Sequence, residues 1–275
     1  MKKVALFIAS IALLGGIATA QDTMYVHQQG GTITKIAVNK IDSIVFNETT
    51  ITAPPLGTVT YGSMTDGESN SYKTVTIGTQ TWMAENLKVT KYNDGSTIPN
   101  VTDATIWSNL TTGAVCTYNN TTNADTIRTY GRLYNWYAVN TGKLCPTGWH
   151  VPSDAEWSTL DAYLNANGYD YDGSTTDDAI AKSMASITGW ASVSQTGDIG
   201  NNPSINNKSG FTALPGGVRS YDGAFNDIGG SGYWWSASEN GTSNAYGRNL
   251  LYNRNSLNNN YNNEVDGFSV RCLRN

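Results

Sequence analysis

Short segments in which apolar and polar residues alternate dominate the chain. A period of two is typical of a β-strand that buries one face. In one such segment, residues 75–83, a turn signal at Gly78 predicts a hairpin. Beyond Ala191 the pattern is strand and turn throughout, and it predicts strands within 211–219, 232–238, 246–252 and 267–273. The sequence therefore predicts an α+β fold with twisted, mainly antiparallel sheets and few helices.

The clearest predicted helix begins at Ser153. This residue and Glu156, three positions later, form a capping box, and Pro152 stands just before it. Asn167 and Gly168 mark the end of the helix. The apolar residues that share one face of this helix are Trp157, Leu160 and Leu164.

Two shorter helices are also predicted. The first lies within 131–139, where apolar residues at i, i+3 and i+4 favour a short buried helix. Its spaced residues are Leu133, Trp136 and Tyr137. The second lies within 177–185, with Ile180 and Met184 facing inward.

The N-terminal residues have the organisation of a secretory signal peptide. Lys2 and Lys3 give a positive start, residues 4–17 are largely apolar, and residues 18–20 supply the small residues of a cleavage site. The apolar run is shorter than the roughly 20 residues that a membrane-spanning helix needs. We therefore expect an exported protein in the periplasm, at the cell surface or in the extracellular space, with no transmembrane segment in the mature chain.

The sequence suggests four regions. Residues 1–20 are the signal peptide, and residues 21–48 alternate as a small β-hairpin module that is too short to bury much core. Residues 49–58 contain Pro54, Pro55 and Gly57 and are predicted to be a linker. Residues 59–275 form the main domain.

Charge and composition exclude some partners. The chain has 17 basic and 22 acidic residues, and without the two signal-peptide lysines 15 basic residues remain, a net charge of about −7. Since no basic run interrupts this balance, we expect neither nucleic acid nor anionic lipid as a partner. Charged residues make up only 14% of the chain and aromatic residues 11%, which suits an extracellular domain rich in loops.

Three cysteines are present, and an exported protein tends to pair its thiols. We prefer a disulfide between Cys145 and Cys272, which would join the start of the main helix to the final strand. Cys116 would then be either a small buried apolar residue or a free thiol. No spacing of cysteine and histidine residues predicts a metal centre.

Several motifs resemble those of a known family. They are TWMAENL at 81–87, YGRLYNW at 130–136, LCPTGWHVPSDAEW at 144–157, GYWWSAS at 232–238 and GFSVRC at 267–272. In this order they resemble the Fibrobacter succinogenes major paralogous domain, an exported bacterial domain. They are more distantly similar to the formylglycine-generating-enzyme and C-type-lectin-like superfamily, and this similarity implies a C-type-lectin-like domain.

The resemblance does not imply an activity. Formylglycine-generating enzymes bind copper through a close pair of active-site cysteines, and this sequence has no such pair. C-type lectins bind sugar through calcium held by tripeptides such as Glu-Pro-Asn, which this sequence also lacks. Two oxygen-rich stretches, 170–178 and 258–266, have the side chains that calcium prefers. We interpret both as solvated loops and expect no cofactor, with bound calcium as the alternative.

Aromatic and polar residues in the C-terminal region are the candidate ligand contacts, because sugar recognition requires aromatic faces beside hydrogen-bonding groups. The candidates are Arg219, Trp234, Trp235, Glu239 and Arg248. One of two consecutive tryptophans on a strand must face the core, which is the competing interpretation of that pair. The asparagine-rich segment 253–263 is either a hydrated loop, the default, or an exposed binding rim.

We therefore expect a non-enzymatic binding or adhesion module that recognises glycan or a surface protein. The alternatives are an enzyme of the formylglycine-generating type, an enzyme that acts on polysaccharide, and a structural component of the envelope.

Overall fold

A computed structural model describes the strands Thr23–His27 and Ile33–Ala37 together with residues 58–275. The chain divides into two units, residues 1–51 and 52–275. In the first unit, β1 (Thr23–His27) and β2 (Ile33–Ala37) pair in antiparallel register. The predicted signal peptide and nearly all of the linker lie outside the described residues.

The first sheet of the second unit has five strands in the order β3-β4-β5-β14-β8, all antiparallel to their neighbours. The hairpin predicted around Gly78 is confirmed as β4–β5, and Gly78 adopts φ +62°, a conformation that favours glycine. The strands are β3 Tyr61–Thr65, β4 Ser71–Ile77, β5 Gln80–Met83, β8 Trp149–His150 and β14 Leu273–Arg274.

The second sheet also has five strands, in the order β10-β9-β11-β12-β13. The sheet is mixed, because β11 and β9 pair in parallel whereas all other neighbouring strands of this sheet pair antiparallel. The strands are β9 Gly216–Arg219, β10 Phe225–Ile228, β11 Ser231–Glu239, β12 Asn244–Leu251 and β13 Asn258–Asn263. A further pair consists of β6 Val115–Cys116 and β7 Leu133–Tyr134.

Helices are short and few among residues 58–275, as an α+β fold with dominant sheets requires. They are α1 Ala104–Ser108, α2 Ala124–Tyr130, α3 Trp136–Asn140, α4 Asp154–Ala166 and α5 Ala181–Met184. Within the same described residues, two 3₁₀ turns occur at Tyr118–Asn120 and Pro203–Ile205. Within this part of the chain, no helix is long and apolar enough to cross a membrane.

The longest helix within residues 58–275, α4, confirms the prediction made at Ser153. The hydroxyl of Ser153 accepts a hydrogen bond from the main chain of Glu156, and the Glu156 carboxylate accepts one in return from the main chain of Ser153. Trp157, Leu160 and Leu164 are all fully buried. The predicted apolar face of the helix therefore packs against the core.

The segment 131–139 differs from its prediction. Leu133 lies in β7, and the helix α3 begins only at Trp136. Asn135 separates the two elements, because its side-chain oxygen caps the helix by accepting from the main chain of Ala138. The helix predicted over 177–185 is likewise reduced to Ala181–Met184, although Ile180 and Met184 are buried as expected.

The asparagine-rich segment is a strand over much of its length, which corrects our default interpretation of a loop. Residues 258–263 form β13 and pair with β12 from Asn249↔Asn258 to Asn244↔Asn263. Asparagine is unfavourable in strands, so local propensity argued for a loop. Pairing with β12 overrides that propensity.

The core of the second unit lies on both faces of β11. Trp234 packs into one apolar cluster with Trp157, Phe211 and Leu250, whereas Trp235 packs into another with Phe268. Alternate residues of a strand point to opposite faces, so consecutive tryptophans anchor both clusters.

Candidate functional site

The predicted tryptophan pair lies in the protein interior. Trp234 is 1% exposed and its indole N–H donates to Asn86 Oδ1 at 3.0 Å. Trp235 is fully buried, donates to the carbonyl oxygen of Tyr134 at 2.7 Å and stacks on Phe268 with the ring centroids 4.3 Å apart. In this conformation neither ring presents a face to a ligand. The competing interpretation, a core role, therefore describes both residues.

Arg219 is also a structural residue. Its guanidinium is fully buried and lies 4.3 Å from the ring centroid of Trp107. Its nitrogens donate to the carbonyl oxygens of Val101, Thr102 and Gly223. These contacts occupy the guanidinium and join β9 to the segment that precedes α1.

The two remaining candidates lie in different environments, one buried and one exposed. Arg248 on β12 is 3% exposed and binds Asp154 Oδ1 at 2.6 Å and Ser158 Oγ at 3.1 Å, so it fastens α4 to the second sheet. Glu239 is exposed at the end of β11. The five predicted residues therefore do not form one surface site.

The first oxygen-rich stretch is organised by internal hydrogen bonds. Asp170 is fully buried, and its carboxylate accepts from the main chain of Ala179 and the hydroxyl of Ser174, both at 2.9 Å. Burial, followed by the neighbouring Asp178 carboxylate, raises the pKa of Asp161 to about 7. Among residues 58–275, no group of three acidic, histidine or cysteine side chains has the arrangement of a metal site.

The predicted disulfide between Cys145 and Cys272 is present, with the two Cα atoms 5.9 Å apart. Cys116 is the free thiol, and it is buried. Burial raises the pKa of Cys116 to about 12. The thiol therefore remains protonated near neutral pH, which disfavours a nucleophilic role.

Strands β12 and β13 form a surface that the sequence did not predict. We call it the tyrosine–asparagine surface; it comprises Asn244, Tyr246, Asn259, Tyr261 and Asn263. In the register of the two strands Tyr246 stands opposite Tyr261, and Asn244 stands opposite Asn263. Side chains two residues apart on a strand share a face, so all five point to the same side of the sheet.

Exposure distinguishes this surface from the core of the sheet. Tyr261 is 67% exposed, while Tyr246 opposite it is half-buried and thus held in place. Directly opposed residues have Cβ atoms about 5 Å apart, so the two rings are neighbours. Asn259 is exposed and contributes an amide beside them. The alternation around Tyr261 was visible in the sequence, but the partner strand was not.

A small cleft of about 200 Å³ lies near the disulfide, against the turns after β3. Its acidic side chains already have partners. Asp66 accepts from the Tyr72 hydroxyl at 2.7 Å, and Glu68 accepts from the main chain of Thr90 at 2.6 Å. The cleft is smaller than the roughly 300 Å³ of a typical ligand pocket, and its carboxylates hold local structure. We therefore regard the tyrosine–asparagine surface as the stronger candidate.

A family model described as the Fibrobacter succinogenes major domain matches residues 75–274. The chain belongs to this family. No curated protein and no solved structure matches it. The matched residues of this Fibrobacter succinogenes major domain run from β4 to β14 and include the whole tyrosine–asparagine surface.

The motifs that carried the resemblance are largely architectural in this Fibrobacter succinogenes major domain. Asn86 accepts hydrogen bonds from Trp234 and Arg271, and Trp136 donates to the carbonyl oxygen of Ser236 at 3.0 Å. These contacts join segments that are remote in the chain. The family motifs therefore account for the fold, whereas the exposed residues of β13 lie outside them.

Proposed function

We propose that this protein is an exported, non-enzymatic binding module that recognises neutral glycans through the tyrosine–asparagine surface. The features that support export are the signal-peptide pattern of residues 1–20 and the disulfide, since disulfides persist in oxidising compartments. The proposal includes a C-type-lectin-like fold, which the mixture of curled sheets and few helices suits.

The observation that carries the proposal is Tyr261, which is 67% exposed, opposite Tyr246. A tyrosine ring gives a rigid apolar face against which the C–H groups of a sugar can pack. The amides of Asn259 and Asn263 supply both donors and acceptors for hydroxyl groups. Such a combination of aromatic and amide groups matches the alternating apolar and polar faces of a sugar ring.

Charge favours a neutral ligand. The strand β13 carries no charged residue, and the whole chain has a net charge of −5. An acidic protein repels sulfated or carboxylated glycans at long range. Neutral sugars avoid that repulsion.

A thiol-dependent oxidase is a weaker candidate. Of the three cysteines, two form the disulfide, and Cys116 is buried with a raised pKa. Oxygen activation on copper would require a pair of accessible thiolates. The residues of this chain do not supply such a pair.

The test is a glycan array probed with residues 21–275, with calcium and again with chelator, followed by affinity measurement on the neutral glycans that bind. We expect Tyr261→Ala to weaken binding about tenfold or more, because it removes the exposed ring. The matched control is Tyr221→Ala. This tyrosine is 61% exposed in the β9–β10 connection and should not affect binding.

Two results would refute the proposal. One is an array on which no neutral glycan binds. The other is a bound glycan whose affinity is unchanged by Tyr261→Ala and by Tyr246→Ala, with circular dichroism showing that both variants are folded. Binding that is lost with chelator would instead point to a calcium site in the oxygen-rich stretch 170–178.

A further inference from the structure

The outer edge of β13 has unused main-chain groups, as the hydrogen bonds of β11 reveal. The N–H of Trp235 donates to the carbonyl of Ser269 at 3.2 Å, and the N–H of Ser269 donates to the carbonyl of Tyr233 at 3.1 Å. The main chain of both β11 residues therefore faces away from β12. Since neighbours in a strand alternate, the main chain of Trp234 faces β12 and its partner Arg248.

The same alternation extends to β13. Next to Arg248, Gly247 directs its main chain toward β13, where it stands opposite Asn260. Asn259 and Tyr261 must then direct their N–H and C=O groups to the outer edge. Within residues 58–275, these main-chain groups have no hydrogen-bond partner.

Protective features that sheet edges commonly carry are missing from β13. Edge strands usually include a charged residue, a proline or a bulge that discourages pairing with another strand. The sequence of Asn258–Asn263 is NNNYNN, and its pairing with β12 is regular. The opposite edge differs, because Asp227 in β10 has φ +67° and is skipped in the pairing with β9.

We propose that β13 pairs with β13 of a second copy of this chain, antiparallel, about a two-fold axis at Asn260. In this register Asn259 stands opposite Tyr261 of the second copy, and each such pair exchanges two main-chain hydrogen bonds. The axis is perpendicular to the sheet, and the two Asn260 side chains meet on it. Most soluble oligomers are closed two-fold dimers, in which one patch contacts itself.

The absence of charge on β13 favours a second copy of the chain as the occupant of this edge. Without the two signal-peptide lysines, 15 basic and 22 acidic residues give each molecule a net charge of about −7, so two copies repel one another across most of their surfaces. The strand Asn258–Asn263 is uncharged, and like charges directly opposite would destabilise a strand pair. Two identical acidic molecules can therefore meet at this edge without placing like charges opposite one another.

The dimer would form a continuous ten-stranded sheet from two five-stranded sheets. Because the axis is perpendicular to the sheet, the two tyrosine–asparagine surfaces would adjoin on one face. Two adjacent sites bind a repeating polymer more tightly than one site does. Pairing itself does not depend on the proposed glycan binding.

The test is analytical ultracentrifugation of residues 21–275 over a range of concentrations. We expect the average mass of the wild type to rise toward twice the monomer mass. Asn260 is exposed, so Asn260→Lys and Asn260→Glu should fold normally, which circular dichroism would check. Each variant alone should weaken the dimer by about tenfold or more, because like charges meet on the axis.

Mixing the two variants gives the decisive result. Lysine opposite glutamate should restore a dimer, and only a register centred on Asn260 places them together. The control is Asn226→Lys on the opposite edge strand β10, which should dimerise as the wild type does. A wild type that remains monomeric, a dimer that both Asn260 variants retain, or a mixture that stays monomeric would overturn the proposal.

This experiment separates pairing from glycan recognition. Asn260→Lys retains Tyr246 and Tyr261, and its side chain points to the other face of the sheet. Its monomer should bind a short neutral oligosaccharide with wild-type affinity if the proposed function is correct. Failure of either proposal would therefore leave the other open to its own measurement.

Discussion

Asn86 and Arg271, 185 residues apart in the chain, meet in the protein interior, where Arg271 Nε donates to Asn86 Oδ1 at 3.0 Å. Arg271 is fully buried and lies 4.4 Å from the ring centroid of Phe211. Its other nitrogens donate to the main-chain carbonyls of Phe211 and Thr212. Neutral oxygens thus stabilise the guanidinium.

Asn86→Ala should strongly destabilise the protein. The same Oδ1 accepts from the Trp234 indole at 3.0 Å, so the variant leaves a buried charge and a buried indole without this acceptor. We expect the free energy of unfolding to fall by about 3 kcal/mol or more, since unsatisfied buried donors are costly. Urea unfolding would measure the change. Exposed Asn259→Ala is the control, with a loss below about 0.5 kcal/mol, and a comparably small loss for Asn86→Ala would contradict the prediction.

Removing the disulfide with Cys145→Ala and Cys272→Ala together should also lower stability. The bridge closes a loop across a sequence separation of 127. In the chain-entropy model such a loop contributes about 4 to 5 kcal/mol by restricting the unfolded state. Guanidinium unfolding of the wild type and the double variant would measure the loss. A difference below about 1 kcal/mol would show that the unfolded chain is already compact.

Asp161 should make stability depend on pH. Its folded pKa is raised to about 7, first by burial and then by the Asp178 carboxylate, with Arg248 opposing the shift and Asp170 adding to it. The native state therefore binds the proton more tightly than the unfolded state, whose pKa is near 4. This contribution to stability is full below about pH 4 and is lost as the pH rises through about 7.

Asp161→Asn isolates this effect, because an amide resembles the protonated acid and does not titrate. Thermal unfolding of both proteins between pH 4 and pH 8 is the measurement. The variant should gain stability relative to the wild type as the pH rises. Parallel curves for the two proteins would show that Asp161 titrates normally.

Tyr261→Phe distinguishes ring packing from hydroxyl bonding in the proposed glycan site. The variant keeps the aromatic face and loses the donor and acceptor of the phenol. If ring packing dominates, its affinity for a neutral glycan should stay within about threefold of the wild type, while Tyr261→Ala loses about tenfold. Isothermal titration would compare them, and an equal loss in both would assign the contact to the hydroxyl.

Local signals were reliable where neighbouring residues complete each other's hydrogen bonds. The capping box places both partners, Ser153 and Glu156, within one turn, and α4 begins where they predict. The turn at Gly78 is similarly local. The prediction of one helix over 131–139 was wrong, because the spacing of Leu133 and Trp136 also suits a strand followed by a cap and a short helix. Pairing of β7 with β6 selects this second arrangement.

The α+β class, the main helix and the family could be inferred from the amino-acid sequence alone, because each rests on local patterns or on distinctive motifs. The disulfide joins residues 127 positions apart, so the sequence favoured this pairing and the structure established it. The interior position of Trp234, Trp235 and Arg219 and the exposure of Tyr261 became evident from the folded structure. Period-two alternation tells which residues share a face, but not which face another layer covers. Which face of a strand is covered depends on contacts between distant segments, such as that of Asn86 with Trp234. No such contact covers the ring of Tyr261 on β13, which is therefore exposed among residues 58–275.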